Sequence, residues 1–440
     1  MRASSATVLT FEVGPYTYRA SPFTATAQVT GVGGLDTTVP VVYTGDCTNV
    51  TSANGCTGTA TFAGDTNHDG GSDSDSITLT TKAASVNAVD KSKTYGDDNP
   101  ALTATVDGTI GSETLHYTLT TTAVKFSNVS AYPIAVTLGS NPNYDVSKSD
   151  ASLSITPKGA SVTANGKTKV YGTENPALDA SVTGTVNGNT LDYTLATTAT
   201  RASGVGSYPI DVTLGTNPNY TINVTASALM VTPKQLTIIA NSTTKILGAT
   251  HSFAGTEFTS TGLVSGDTIA SVTLSSTGAP EVATIGSYPI VPSAAVGAAV
   301  GNYSITYTNG TLKVLYLWNG FLQPINDTAH DAHTTALYSS FKAGQTIPVK
   351  FELRNASGQI ITQTENPVFN RTARMGACSV VGDLEEAVYP VAPDSDGLFK
   401  LTGSQYNYGW STKGLVPGLY QIYANLADGT TRSVYICLTK

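Results

Sequence analysis

The chain has 440 residues, too many for one ordinary core, and 40% of them are hydrophobic, so several folded domains are expected rather than disorder. Charged residues make up only 12%, about half the roughly 25% usual for soluble domains, and the polar surface must be hydroxyl- and amide-rich instead. The net charge of −8 forms no basic stripe, which leaves nucleic acid without an electrostatic footprint, and no run approaches the roughly 18 apolar residues of a membrane span.

The first residues, "MRASSATVLTFEVG", contain no apolar stretch of the kind a secretion leader needs, and they pass almost at once into a strand, "TVLTFEV". A leader upstream of a truncated chain is the expectation. Within 1–83, Cys47 and Cys56 flank the turn "NVTSANG", which predicts a disulfide closing a hairpin. "DTNHDG" then has the Asp-x-Asn-x-Asp-Gly spacing that opens a calcium loop, with Asp65, Asn67 and Asp69 as candidate ligands and Asp73 close behind. Position twelve is Ser76 rather than a bidentate Glu, and no helices flank the loop. A polar hairpin tip is the plainer alternative; the expectation is that no cofactor is required and that calcium does not matter to the fold.

From residue 84 the sequence repeats itself. "KTYGDDNPAL" from Lys93 returns as "KVYGTENPAL" from Lys169, 76 positions on. "AYPIAVTLGSNPNYDV" from Ala131 returns as "SYPIDVTLGTNPNYTI" from Ser207 at the same interval. A third, worn copy carries "TKILG" ending at Gly248, "GSYPIV" at Gly286 and "NYSITYTNGTLKV" at Asn302. A fixed period of this length means tandem domains, here 84–159, 160–234 and 235–315. Inside a copy the pattern is β. "ETLHYTL" sets Leu115, Tyr117 and Leu119 on one face, and "NTLDYTL" does the same with Leu191, Tyr193 and Leu195. Gly96 and Gly172 suit a sharp turn after the preceding residue, and Asn99 and Asn175 are held extended by the proline that follows. Helical periodicity is absent except for a short piece around His330–Phe341.

Tyr-Gly-x followed by Asn-Pro-Ala-Leu, then Tyr-Pro-Ile, Asn-Tyr and a closing Thr-Pro-Lys, resembles the MBG domain of the YGX type. The resemblance is strong over 84–234. It is weaker over 235–315, where Leu247 replaces Tyr and Asn-Pro-Ala-Leu is missing. It implies an exported bacterial protein built of modules, and it brings no catalytic residue. Segment 1–83 resembles bacterial Ig-like surface repeats that carry a Gly-Asp-x-Asn-His loop ahead of a final strand. Segment 316–440 resembles a PxKF-type C-terminal domain through "LWNGFLQPIND", Pro348, Lys350 and Phe351 of "KAGQTIPVKFEL", and "LADGTTRSVYICLTK".

In that last segment Cys378 and Cys437 are the only cysteines and are expected to pair, which keeps both disulfides inside single domains. "HDAH", with His330, Asp331 and His333, could seed a metal site but has no third ligand cluster nearby. "SQYNYGW" gathers Tyr406, Tyr408 and Trp410, either as glycan-facing rings or as one buried strand face. No serine elbow, Cys–His pair or carboxylate pair stands in a marked loop, so no enzyme is expected. The fold expected is all-β, a linear array of small Ig-like or β-grasp-like domains, behaving as a monomeric rod because short Pro-containing junctions such as "ITPKGA" stiffen it. The function expected is that of an extracellular or cell-surface stalk or adhesin segment, with a surface glycan or a protein ligand as partner and no nucleic acid. The alternatives are glycan or envelope binding by the last domain, or an accessory region of a larger secreted enzyme.

Overall fold

The computed structural model describes residues 1–325, 338–362, 365–378, 381–385 and 391–440. Among them every regular element is a strand except one 3-10 turn, Val300–Asn302. The protein is all-β, and each of its sheets has three to five strands. The chain divides into two compact units: 1–166, 177–198 and 209–228 make the first, and 167–176, 199–208 and 229–440 the second.

The first unit opens with two three-stranded antiparallel sheets. Ser5–Phe11, Ala25–Gly31 and Leu35–Thr38 form one; Val41–Gly45, Cys56–Phe62 and Gly71–Ile77 form the other. In Ser5–Phe11 the alternation sends Leu9 and Phe11 inward and leaves Val8 in solvent. They meet Phe23, Ala27, Cys56, Ala60, Ile77 and Leu79 in one core.

The first repeat is a two-layer sandwich, which decides between the Ig-like and β-grasp-like alternatives. Lys82–Ala88 lies between Tyr144–Ser149, parallel to it, and Ala104–Asp107, antiparallel. The opposite layer runs Tyr117–Thr120, Ala131–Leu138, Ala151–Thr156, Lys91–Thr94, with the last two parallel. Each parallel pair arises because the chain changes layers between consecutive strands: Tyr144–Ser149 and Ala151–Thr156 are separated only by Asp150, whose Oδ1 accepts the Val136 amide at 2.8 Å. Ile134, Leu153, Ile155, Val86 and Val136 fill the space between the layers. The expected strand through Leu115 is shorter than its alternation suggests, covering only Tyr117–Thr120, while Leu115 is buried from the loop ahead of it.

In the first unit the middle repeat places Lys158–Ala164 between Ala180–Thr183 and Tyr220–Thr225 over a small core of Ala160, Val162 and Leu191. In the second unit the same repeat pairs Lys167–Val170 in parallel with the strand end at Leu229 to Thr232.

The third repeat lies wholly in the second unit and keeps the pattern. Lys234–Ala240 runs parallel to Tyr303–Thr308 and antiparallel to Phe258–Thr261, opposite Thr243–Ile246, Gly310–Leu315, Gly286–Val296 and Ser271–Ser275. The C-terminal domain stacks a four-stranded sheet on a five-stranded one. The first contains Leu317–Leu322, Thr346–Arg354, Gln405–Ser411 and Lys400–Thr402; the second contains Val368–Arg371, Gly418–Asn425, Thr431–Thr439, Tyr338–Lys342 and Val381–Glu385. The helical piece expected around 330–341 is a strand where it is described, at Tyr338–Lys342.

Both disulfides are present, Cys47–Cys56 with Cα atoms 4.8 Å apart and Cys378–Cys437 at 5.8 Å. They close loops of very different length, with sequence separations of 9 and 59. From chain entropy, replacing both Cys378 and Cys437 by Ser is expected to cost about 4 kcal/mol, against about 2.7 for the Cys47–Cys56 pair. Urea unfolding of the two double variants checks the ranking, and a larger loss from the short loop would contradict it.

Candidate functional site

The carboxylates of the Asp65–Asp73 segment are engaged in hydrogen bonds of the fold itself. The Asp65 carboxylate accepts the amides of Asn67 and His68, each at 2.7 Å, and meets the His68 ring Nδ1 at 3.0 Å. Asp73 Oδ2 accepts the Leu9 amide at 2.9 Å on the neighbouring strand, and Asp69 uses its backbone oxygen to accept the Ser5 hydroxyl at 2.8 Å. Among the described residues no group of three or more His, Cys, Asp or Glu could hold a metal. His330, Asp331 and His333 lie outside the described residues.

Tyr406, Tyr408 and Trp410 lie on the inner face of their strand rather than in solvent. All three are buried, because alternation along Gln405–Ser411 turns that face toward the core. Phe351 stacks on Tyr406 with ring centroids 5.4 Å apart, and Phe369 stacks on Tyr408 at 4.2 Å.

The loop at His68 has its own electrostatic logic. His68 is buried, and its Nε2 stands 2.8 Å from the Val32 carbonyl while Nδ1 faces Asp65. Both neighbours are acceptors, so the doubly protonated ring suits them best. The Val32 carbonyl first, and the Asp65 carboxylate second, raise the imidazole above its ordinary 6.5. An unfolded His titrates near 6.5, so the stability from this charge is complete below about pH 6.5 and is lost as pH rises through the higher folded value. Calorimetry should show the N-terminal transition weakening as pH rises above about 6.5, with His68→Gln flattening that slope. Asp65→Ala should destabilise equally in calcium and in chelator; protection restricted to calcium would restore the loop as a metal site.

What the repeats do build is a junction, made three times on one plan. At the first, Tyr18 and Tyr144 meet edge to face with centroids 5.4 Å apart. Tyr18 donates to Glu113 Oε1 at 2.8 Å, and Tyr144 donates to the other oxygen of the same carboxylate. At the second, Tyr95 and Tyr220 meet at 5.5 Å, and both donate to Asn189 Oδ1, at 3.1 and 2.9 Å. At the third, Tyr171 and Tyr303 meet at 5.5 Å, and both donate to Asp267 Oδ2, Tyr171 at 3.0 Å. The first two junctions lie within the first unit and the third within the second.

Each downstream tyrosine also accepts a backbone amide at its phenol oxygen, from Ile110 at 3.1 Å, Val186 at 3.2 Å and Val264 at 2.8 Å. The asparagine before it reaches upstream: Asn143 Oδ1 accepts the Val50 amide at 3.0 Å, Asn219 accepts Val129 at 2.9 Å, and Asn302 accepts Val205 at 2.8 Å. Two of these asparagines also donate across, Asn143 to Asn49 and Asn219 to Asn128, both at 2.9 Å. Hydrogen bonds from Tyr144 and then Tyr18 hold the Glu113 carboxyl below its ordinary value. Burial first, then Asp267, pushes the Tyr303 phenol up to about 12.

The upstream tyrosine is placed by its own strand. After Lys91–Thr94 and Lys167–Val170 the amides of Tyr95 and Tyr171 bond the Thr156 and Thr232 carbonyls, each at 2.9 Å. The next residue, Gly96 or Gly172, then turns with φ of +88° or +81°. A Cβ at Gly96 would stand 2.9 Å from Val186 Cγ2, and one at Gly172 would collide with Val264 Cγ2. Glycine is required here for the backbone and for the approach of the next module. At these positions the sequence marks the turn alone. Tyr18, Glu113, Asn189 and Asp267 went unnoticed; the 76-residue spacing of Glu113 and Asn189 was the one signal that could have marked two of them.

The third repeat meets a different neighbour. Leu247 and Ile285 pack against the core of the C-terminal domain, and the Ala356 amide donates to the Leu247 carbonyl at 2.8 Å.

This is a modular protein of tandem β-sandwiches joined through a recurring interface. The chain belongs to the MBG domain family, YGX type, whose family model matches residues 84–154, 160–230 and 236–313. No curated protein matches the sequence. Solved structures with some likeness include invasin, a bacterial integrin-binding protein, at 10% identity and TM-score 0.22, covering 99% of this chain and 79% of that one. The human desmocollin-1 ectodomain matches at 9% identity and TM-score 0.19, with 100% and 97% covered. The N-terminal eight Ig domains of DSCAM isoform 1.30.30 match at 11% identity and TM-score 0.17, with 100% and 71% covered. Scores this low place no claim on the present chain.

The junction yields a paired test. Gly188→Ala should cost only the left-handed backbone penalty of about 1–2 kcal/mol, since nothing stands within 4 Å of its Cβ position at φ +68°. Gly172→Ala should cost about 1–3 kcal/mol more through its collision with Val264. Calorimetric midpoints of the two variants compare them directly, and equal losses would remove the junction's role in stability.

Proposed function

We propose that this chain is a non-catalytic extracellular repeat protein that serves as a spacer or adhesin segment. The observation that supports it is the recurrence of one junction at three places, with two phenols on one polar side chain and an asparagine reaching upstream. A catalytic protein concentrates unusual chemistry in one place, whereas here the repeated chemistry lies between modules. Two intact disulfides suit an oxidising compartment and therefore an exported chain. The burial of Tyr406, Tyr408 and Trp410 weighs against glycan recognition through them.

The spacer reading requires an extended monomer in solution. A compact protein of this length would have a radius of gyration near 22 Å. X-ray scattering of the full chain should give a clearly larger value with a rod-like profile, and a value near the compact one would overturn the proposal.

A further inference from the structure

Each of the three repeats approaches its downstream neighbour through two separated parts. One is the turn that holds Tyr95, Tyr171 or Leu247. The other is a loop that holds Val129, Val205 or Ile285. The first two residues of that set donate their amides to Asn219 and Asn302, and the third packs on the C-terminal core. Asn99 and Asn175 already reach from turn to loop, donating to the Ala123 and Ala199 carbonyls at 2.6 Å.

Behind every turn stands a lysine two residues before the tyrosine or leucine: Lys93, Lys169 and Lys245. All three are buried, an unusual place for an ammonium group. Their Nζ atoms are met by backbone carbonyls. Lys93 donates to Asp97 O at 3.0 Å, Val124 O at 2.8 Å and Lys125 O at 3.3 Å. Lys169 donates to Thr173 O at 3.1 Å and to Thr200 O. Lys245 donates to Ala249 O at 2.8 Å, Ala279 O at 3.2 Å and Pro280 O. In every copy one acceptor belongs to the turn and the rest belong to the loop.

We propose that these three lysines are positioning residues of the junctions, each tying the docking turn to the docking loop so that both meet the next module in register. The proposal rests on the junction being the functional site. An ammonium suits the task because its three donors bridge carbonyls from different segments, which no apolar side chain of that length can do. Burial pulls Lys93 and Lys245 below the ordinary lysine value, so their carbonyl partners must offset a real desolvation cost. The third copy separates the lysine from the tyrosine chemistry. There the tyrosine is replaced by Leu247 and the neighbour is a different kind of domain, yet Lys245 and its three carbonyls remain, and turn and loop still dock together.

Amide hydrogen exchange on the full chain tests this. In Lys93→Met the Val129 amide, which bonds Asn219 across the junction, should exchange about tenfold faster or more, while Val86 and Ile134 in the module's own core stay within about twofold of the parent. Lys245→Met should release the Ala356 amide in the same selective way, which keeps the test available if one variant folds poorly. Unchanged Val129 and Ala356, or acceleration of core and junction amides together, would overturn the proposal and leave the lysines as ordinary core stabilisers. Tyr95→Ala provides the separate check on the underlying reading: it should also release Val129. If it does not, the junction reading fails, whatever the lysine variants show.

Discussion

The structure depends on a problem of hydrogen bonding at the ends of the modules. Two tyrosine rings packed edge to face gain about 0.5–1.5 kcal/mol beyond the area they bury, but they bring two hydroxyls into one shielded place. Both hydroxyls need an acceptor, because a buried donor left without one costs more than the ring contact returns. One side chain supplies it at every junction. Glu113, Asn189 and Asp267 differ in charge and length but share what the geometry demands, an sp² oxygen group able to take two donors. This explains why the middle residue varies among the copies while the tyrosines around it do not.

Much of the fold was legible in the sequence. A period of 76 residues, alternation in "YTLT" and "YTINVT", and glycine and proline at fixed places were sufficient for an all-β chain of tandem units. Pairing order was not legible. The parallel pairs arise because the chain changes layers at Asp150 and its counterparts, and alternation is the same whichever layer a strand joins. "SQYNYGW" illustrates the same limit, since a row of rings on one strand face reads alike whether that face meets solvent or a second sheet. The second sheet, through Phe369 and Tyr420, decided it.

The junction was illegible for a different reason. Its partners are distant in sequence, with Tyr95 and Asn189 94 positions apart and Tyr171 and Asp267 96 apart. The Tyr-Gly signature also had a sufficient local explanation as a turn, and a local explanation that works gives no reason to look further. The same holds for Asn-Tyr. The first asparagine of "NPNY" does brace its own module: Asn141 Oδ1 accepts the His116 amide at 2.7 Å and its Nδ2 returns to the His116 carbonyl. The second, Asn143, leaves the module.

That division gives meaning to the third copy, which by resemblance alone is merely worn. It has lost the first asparagine, which serves the module itself, and keeps Asn302 and Tyr303, which serve its upstream neighbour. It has also exchanged the tyrosine of its own downstream face for Leu247, and the domain it meets there presents an apolar core that Leu247 joins. A tyrosine at 247 would present a hydroxyl to that apolar surface, whereas leucine needs no partner. Each end of a module is therefore written for the neighbour it meets, independently of the other end, and divergence that looks like decay along the chain is specificity at its joints.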